Sequence, residues 1–145
     1  MILEVYRLHS KRYPANSGRG AALHGGRWNP PGVEAIYTAQ SRSLAALEIL
    51  VHYAVLPRDF VLTPIRIPEG RVVVARLQKN AQFPELQTRD LALNWFPSTA
   101  VLGVYSVIIP DERIYILNPT HPEFEYIEFL DSEPFKFDPR LKQIV

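Results

Sequence analysis

Residues 25–52 read GGRWNPPGVEAIYTAQSRSLAALEILVH and combine the features of a loop, a strand and a helix. The glycines and prolines that open the stretch indicate a loop, because glycine permits positive φ and proline fixes φ near about −65°. AIYTA at 35–39 has the β-branched and aromatic content of a short strand. The run at 41–56 predicts a helix, with Ser41 or Ser43 as its N-cap.

The loop carries a planar cation and a large aromatic, Arg27 and Trp28, between its glycines and prolines. A turn alone needs only glycine and proline. The two added side chains therefore indicate a stiff loop that presents them to something. Two interpretations remain open: a surface turn with a solvated Arg27 and with Trp28 filling a gap in the core, or a loop that offers Arg27 to a ligand.

The predicted helix carries one charge in an otherwise apolar run. From Leu44 to Leu56, Glu48 is the only formally charged residue, and His52 is the only other strongly polar one. Glu48 shares a face with apolar residues of the same helix, Leu44, Leu47 and Val51. Burying an ionised carboxylate is costly unless the carboxylate is paired. We expect Glu48 either to contact His52 or an arginine of a neighbouring strand, or to point into a ligand pocket.

The rest of the chain is predicted to be rich in strands. ILEVYRL at 2–8 is a first strand, a long loop follows at 9–34, and Pro64 should place its own strand at a sheet edge or bulge. Further strands are predicted at 60–67, 71–77, 101–110, 113–118 and 124–130, and a second helix at 89–96. The chain, 1–145, is therefore predicted to form one α+β domain.

Composition excludes several classes of protein. The net charge of +1 over 145 residues disfavours a strongly electrostatic nucleic-acid binder. The chain has no cysteine, so it forms no disulfide and no thiolate metal site. The 4 histidines do not have the spacing of a zinc motif, and no metal is expected.

One uncharged stretch, residues 91–110, approaches the length of a membrane span. Polar residues and Pro97 interrupt it, so it is interpreted as a loop or short helix followed by a strand buried on both faces. The N-terminus has too few apolar residues for a signal peptide. We expect a soluble, cytoplasmic protein with no membrane association.

The stretch at 25–52 resembles the core motif of the RES domain, the toxin half of bacterial RES–Xre type II toxin–antitoxin pairs. That motif runs as a G-R-W-N loop, a glycine, an I-Y-T-A strand and S-x-x-x-A-x-x-E on a helix. Other segments resemble the family's remaining motifs in order along essentially the whole chain: VYRLHSKRYP, SGRGAALHGGRWN, TRDLALNW, VYSVIIPDERIYILNPTHPEF and FKFDPRL. The resemblance implies a mixed, mostly antiparallel sheet with a few helices, as in ADP-ribosyltransferase toxins. The departures from the family pattern are Tyr105 for proline, Ile114 for asparagine, Arg89 for glutamine and Ala92 for glycine.

The resemblance also implies chemistry on NAD as substrate. Glu48 matches the family's helix glutamate and would stabilise a ribosyl cation, while Arg27 would bind the pyrophosphate, with Arg7 sharing that role. Tyr37 would stack on or hydrogen-bond to the nicotinamide riboside, and Ser106 would hydrogen-bond the sugar or the carboxamide. The predicted catalytic residues are thus Arg27, Tyr37, Glu48 and Ser106, and the predicted NAD-binding residues are Arg7, Arg27, Tyr37 and Ser106.

Each of these residues has a structural alternative. Arg7 would be an interior partner of Glu48, Tyr37 a core aromatic, and Ser106 a partner of a neighbouring backbone group. Other polar and aromatic residues are interpreted as structural: Asn118 and His121 as turn caps, and Trp28 and Trp95 as core.

The predicted function is that of an NAD-consuming toxin, acting as an NAD glycohydrolase, an NAD phosphorylase or an ADP-ribosyltransferase. The predicted partner is an Xre-like helix-turn-helix antitoxin of the DUF2384 type, with a homodimer left open and no direct nucleic-acid contact. The alternative is an inactive RES-like module that only docks on such an antitoxin. An RNA-cleaving toxin is disfavoured by the near-neutral charge and the lack of paired histidines.

Overall fold

The computed structural model describes residues 1–79 and 98–142. Its strands are β1 (Ile2–Ser10), β2 (Ile36–Ala39), β3 (Phe60–Pro68), β4 (Val74–Arg76), β5 (Val101–Tyr105), β6 (Arg113–Leu117), β7 (Glu128–Phe129) and β8 (Glu133–Phe135). Its helices are α1 (Arg19–His24) and α2 (Arg42–Leu50), with 3₁₀ helices at Pro122–Tyr126 and Pro139–Leu141.

The strands form one mixed sheet in the order β4-β5-β6-β2-β1-β3-β7, and β8 also pairs with β3. β4 and β5 are parallel, and the other described pairs are antiparallel. The predicted α+β class, with a mixed, mostly antiparallel sheet and a few helices, is confirmed. The connectivity places β2 between β1 and β6, so Tyr37 lies in the middle of the sheet, opposite Ile116.

The two faces of the sheet bury different sets of side chains, because successive residues of a strand point to opposite sides. One face packs a cluster that includes Val5, Ile36 and Ile65. The other face packs Leu8, Ala39 and Leu62 of the sheet against α2, which contributes Leu44 to the same cluster. The predicted site residues on β2 and α2 therefore meet on this second face.

The helix α2 begins as predicted but ends early. The Ser41 side chain accepts a hydrogen bond from the Leu44 N–H at 3.1 Å, which identifies Ser41 rather than Ser43 as the N-cap. The predicted helix to residue 56 is wrong, because α2 stops at Leu50. The Lys142 ammonium donates hydrogen bonds to the carbonyl oxygens of Leu50, the last residue of α2, and of Tyr53 in the turn after it.

Three further predictions about elements were wrong in their extent. The loop predicted at 9–34 contains the short helix α1, whose Ala22 N–H bonds to the Gly18 carbonyl at 3.1 Å. The strand predicted at 71–77 is reduced to β4, because the N–H groups of Arg71 and Val72 turn back to the Pro68 carbonyl. The region predicted as a strand at 124–130 instead forms the end of the 3₁₀ helix Pro122–Tyr126 and then β7, because the His121 side chain caps the start of that helix.

Pro64 lies in the inner strand β3, opposite Tyr6, and the prediction that its strand is an edge is wrong. On the other side of β3, β8 pairs with residues 60–62 and β7 with residues 65–66. Pro64 therefore faces the gap between β7 and β8, where no ladder hydrogen bond needs its missing N–H.

The predicted strand at 101–110 is observed as β5, which is shorter than predicted but buried at Val101 to Val104 as expected. The helix predicted at 89–96, with Arg89, Ala92 and Trp95, lies outside the described residues. Within the described residues, no helix is both long enough and apolar enough to cross a membrane.

Candidate active site

The loop before β2 is a tight turn with Arg27 and Trp28 at its tip. The Gly26 N–H donates to the Asn29 carbonyl at 2.9 Å and closes the turn. Gly25 has a φ of 74°, a left-handed conformation that glycine adopts without strain. Trp28 is 5% exposed and packs in the core, as one interpretation of the sequence predicted. The Arg27 side chain is exposed and lines a cavity.

Asn29, which was not predicted as a site residue, closes the base of this turn. Its side chain is fully buried, and its Nδ2 donates to the carbonyls of Val33 at 2.8 Å and Ala21 at 3.0 Å. Its Oδ1 accepts a hydrogen bond from the Tyr37 hydroxyl at 2.7 Å. A polar residue between a buried tryptophan and two prolines is the signal that would have identified it.

The Tyr37 hydroxyl is bound to the loop on both sides. It donates to Asn29, and it accepts a hydrogen bond from the Trp28 N–H at 3.0 Å. A Cβ built on Gly26 would lie 2.6 Å from the Tyr37 hydroxyl oxygen and 2.8 Å from the Asn29 Oδ1. Position 26 thus requires glycine, because any side chain there would displace this hydrogen-bonded group.

Glu48 and Ser106 come together across the site, from α2 and from the end of β5. The Ser106 hydroxyl donates to the Glu48 Oε1 at 2.6 Å. The Ser106 Oγ in turn accepts hydrogen bonds from the N–H groups of Ile108 at 3.0 Å and Ile109 at 3.1 Å. Because both acceptor positions of the hydroxyl are filled, its single hydrogen is directed at the carboxylate. Ser106 therefore fixes the orientation of Glu48.

A cavity of about 780 Å³ lies between the loop, α2 and the sheet. Its size falls within the range of small-molecule and cofactor pockets, about 300–1,000 Å³. Its walls are largely apolar, and polar side chains from three elements reach it: Arg27 from the loop, Tyr37 from β2, and Glu48 with His52 from α2 and the turn after it. The arrangement of a few polar groups in an apolar cavity is typical of a ligand-binding site.

Two predicted site residues do not line this cavity. Ser106 is buried, and its hydroxyl donates to Glu48, which does line the cavity. Arg7 lies on β1 between Tyr6 and Leu8, which do line the cavity, so it points to the opposite face of the sheet. The predicted NAD-binding role of Arg7 stays a prediction.

Arg7 instead holds the segment that follows β1. Its Nη1 donates to the carbonyls of Ser17 at 2.9 Å, Pro14 at 3.4 Å, and Ala15. Burial lowers the pKa of Arg7 to about 10, so the guanidinium stays protonated at neutral pH. The alternative in which Arg7 pairs with Glu48 does not occur in the structure, since the two groups lie on different faces of the sheet.

The turn-capping interpretations of two polar residues are confirmed. The Asn118 Oδ1 accepts hydrogen bonds from the Thr120 N–H and hydroxyl, and the His121 Nδ1 accepts one from the Glu123 N–H. Among residues 1–79 and 98–142, no group of three histidine or carboxylate side chains is placed to hold a metal ion.

Comparison with known proteins identifies relatives along most of the chain. A family model described as the RES domain matches residues 4–138. The protein "Toxin Res" of Photorhabdus laumondii is 39% identical over 149 residues, which cover 94% of this chain and 96% of that protein. The "Prs ADP-ribosylating toxin" of Sphingobium sp. is 35% identical over 137 residues, which cover 86% of this chain and 85% of that protein.

A solved structure shares the fold at low sequence identity. The crystal structure of the M. tuberculosis MbcT–MbcA toxin–antitoxin complex contains a chain that matches with a TM-score of 0.69 and 19% identity. The match covers 97% of this chain and 87% of the other. This likeness independently supports the fold class described above.

Proposed function

The chain belongs to the RES domain family, and we propose that it is the toxin of a bacterial toxin–antitoxin pair that cleaves the nicotinamide–ribose bond of NAD. The names of two relatives, "Toxin Res" and "Prs ADP-ribosylating toxin", support the toxin assignment and the use of NAD. The observation that carries the proposal is the common cavity of Arg27, Tyr37 and Glu48.

The reaction breaks the bond between C1′ of the ribose and the ring nitrogen of nicotinamide. The bonding electron pair leaves with nicotinamide, which turns from a cationic pyridinium into a neutral molecule and needs no general acid. The barrier therefore lies in the oxocarbenium-like ribosyl cation, as in other glycoside cleavage. Glu48 supplies a negative charge held in a fixed orientation by Ser106, so this charge needs no reorganisation as the cation forms.

Arg27 and Tyr37 bind the two ends of the reacting half of NAD. The Arg27 guanidinium matches the geometry of a pyrophosphate and binds it with two parallel hydrogen bonds. Tyr37 offers its aromatic ring to the nicotinamide riboside, because its hydroxyl is already bound to Asn29 and Trp28. Ser106 acts through Glu48 in this proposal, and a direct hydrogen bond from Ser106 to the sugar or the carboxamide stays a prediction.

The test is release of nicotinamide from NAD by the purified protein, freed from any antitoxin. Three reactions are run in parallel, in buffer alone, with inorganic phosphate and with cell-extract proteins, and the products are identified by mass. Hydrolysis yields ADP-ribose, phosphorolysis yields phosphorylated ADP-ribose, and transfer yields a modified protein. Glu48→Gln should lose the activity, while Glu125→Gln, an exposed carboxylate outside the cavity, should keep it. Intact NAD in all three reactions would overturn the proposal and leave a docking module as the function.

We further propose that an Xre-like antitoxin covers this cavity, acting with the toxin in the cytoplasm. The match to a chain of a toxin–antitoxin complex supports an antitoxin partner, and its Xre-like type comes from the family resemblance alone. Expression of the chain alone should then arrest growth, and co-expression of the neighbouring antitoxin gene should restore it. Equal growth in both cultures would contradict the pairing.

A further inference from the structure

We propose that Asn29 is a positioning residue that fixes Tyr37 and the Arg27 turn relative to each other, and so sets the affinity for the pyrophosphate–riboside part of a dinucleotide. This inference rests on the proposed function of the cavity. Asn29 does not line the cavity and therefore does not touch the substrate.

The side chain of Asn29 joins three segments at one buried point. Its two N–H bonds reach Ala21 in α1 and Val33 after the turn, and its oxygen reaches Tyr37 in β2. The side chain has no exposure to solvent, so water cannot replace any of these partners. Loss of Asn29 would therefore free α1, the turn and the Tyr37 hydroxyl together.

The position of Arg27 depends on the Asn29 hydrogen bonds through the backbone of the turn. The Arg27 side chain is exposed, and the turn from Gly26 to Asn29 sets the position from which it reaches the cavity. The Tyr37 hydroxyl also holds this turn, through the Trp28 N–H. A turn with a fixed backbone loses less conformational entropy when Arg27 binds an anion.

Only asparagine satisfies this position. Aspartate has the same shape but no N–H, so its carboxylate would face the carbonyls of Ala21 and Val33. Glutamine carries the same amide, but its extra methylene moves that amide away from the positions at which Asn29 makes its hydrogen bonds. The hydrogen-bond pattern at position 29 therefore favours asparagine.

The experiment measures the dissociation constant for NAD by calorimetry in a Glu48→Gln background, in which the substrate is bound but not cleaved. Asn29→Ala should weaken NAD binding by about tenfold, a loss of about 1.4 kcal/mol in binding free energy. The matched control is Asn118→Ala, a buried asparagine that caps a turn outside the cavity, which should lower Tm but leave the dissociation constant unchanged.

A second variant separates positioning from a general loss of stability. Tyr37→Phe keeps the aromatic ring and removes only the hydroxyl, so it should weaken NAD binding, and the double variant Asn29→Ala/Tyr37→Phe should bind no more weakly than the weaker single variant. An unchanged dissociation constant in Asn29→Ala, or losses that multiply in the double variant, would overturn the role of Asn29. Nicotinamide release by the wild-type protein tests the proposed function separately.

Discussion

Replacing Ser106 with alanine tests whether Glu48 works only when its carboxylate is held in place. The substitution removes the hydroxyl that donates to the Glu48 Oε1 at 2.6 Å. It also removes the acceptor of the Ile108 and Ile109 N–H groups. Ser106 does not line the cavity, so the variant leaves the contact surface for the substrate intact.

The expected magnitudes follow from these three hydrogen bonds. A hydrogen bond to a charged group contributes about 1.5–3 kcal/mol, and a backbone N–H left without a partner costs at least about 1 kcal/mol when buried. Because the Ile108 and Ile109 side chains are only half-buried, we expect a net loss of about 2–3 kcal/mol in the free energy of unfolding. That corresponds to a fall in Tm of roughly 6–10 °C for a chain of this size. A carboxylate that must be reoriented in the transition state lowers kcat by about 10- to 100-fold, or about 1.4–2.7 kcal/mol.

The assay is steady-state release of nicotinamide from NAD, with calorimetric binding of NAD measured beside it. The dissociation constant for NAD should stay within about threefold of wild type, because the lost interaction acts on charge placement in the transition state. Ser43→Ala, on the exposed start of the same helix, is the control and should match wild type in both assays. A Ser106→Ala protein with unchanged kcat, or with NAD binding weakened tenfold, would refute the reasoning.

Three further predictions concern the charged and titratable groups. Glu48→Gln removes only the charge, so it should lower kcat by about 100-fold or more with nearly unchanged NAD affinity. Its Tm should be no lower than that of the wild type. A low Tm with a normal kcat would instead indicate a structural role for Glu48. Arg27→Ala should mainly raise KM, by about tenfold or more, and Arg27→Lys should recover only part of the loss because a lysine cannot bind bidentately; unchanged KM in both variants would exclude Arg27 from binding. Burial and the nearby Arg7 charge lower the pKa of His9, so the free energy of unfolding should fall as the pH drops below about 6.5. His9→Gln should flatten this pH dependence, measured by urea unfolding. Identical pH profiles of the variant and the wild type would contradict the prediction.

Local sequence signals predicted the elements that carry the candidate site better than the contacts between those elements. Ser41 was a predicted N-cap because a serine before an apolar periodic run satisfies the first helical N–H groups, and this depends on neighbours within one turn. The burial of Trp28 and the strand at 35–39 were predicted in the same way, from residue type and from the glycines and prolines nearby. Such features are encoded within a few residues.

The contacts between distant segments were not predictable from local patterns. The last carbonyl of α2 and the turn after it are contacted by Lys142, a residue from the far end of the described chain. The role of Ser106 depends on a backbone turn at 106–109 that interrupts an apolar run and redirects its hydroxyl to Glu48. The placement of Arg7 depends on which face of β1 turns toward α2, and a single period-2 pattern does not decide that.

The order of the strands in the sheet has a consequence for synthesis on the ribosome. The turn, β2 and α2 are translated early, but β2 pairs with β6, and Glu48 receives the hydrogen bond of Ser106 from 58 residues further along the chain. A nascent chain that carries Arg27, Tyr37 and Glu48 therefore lacks the strand and the hydroxyl that complete their surroundings until β6 has left the exit tunnel. The candidate site is therefore completed only after β6 has been made, when most of the polypeptide has been synthesised.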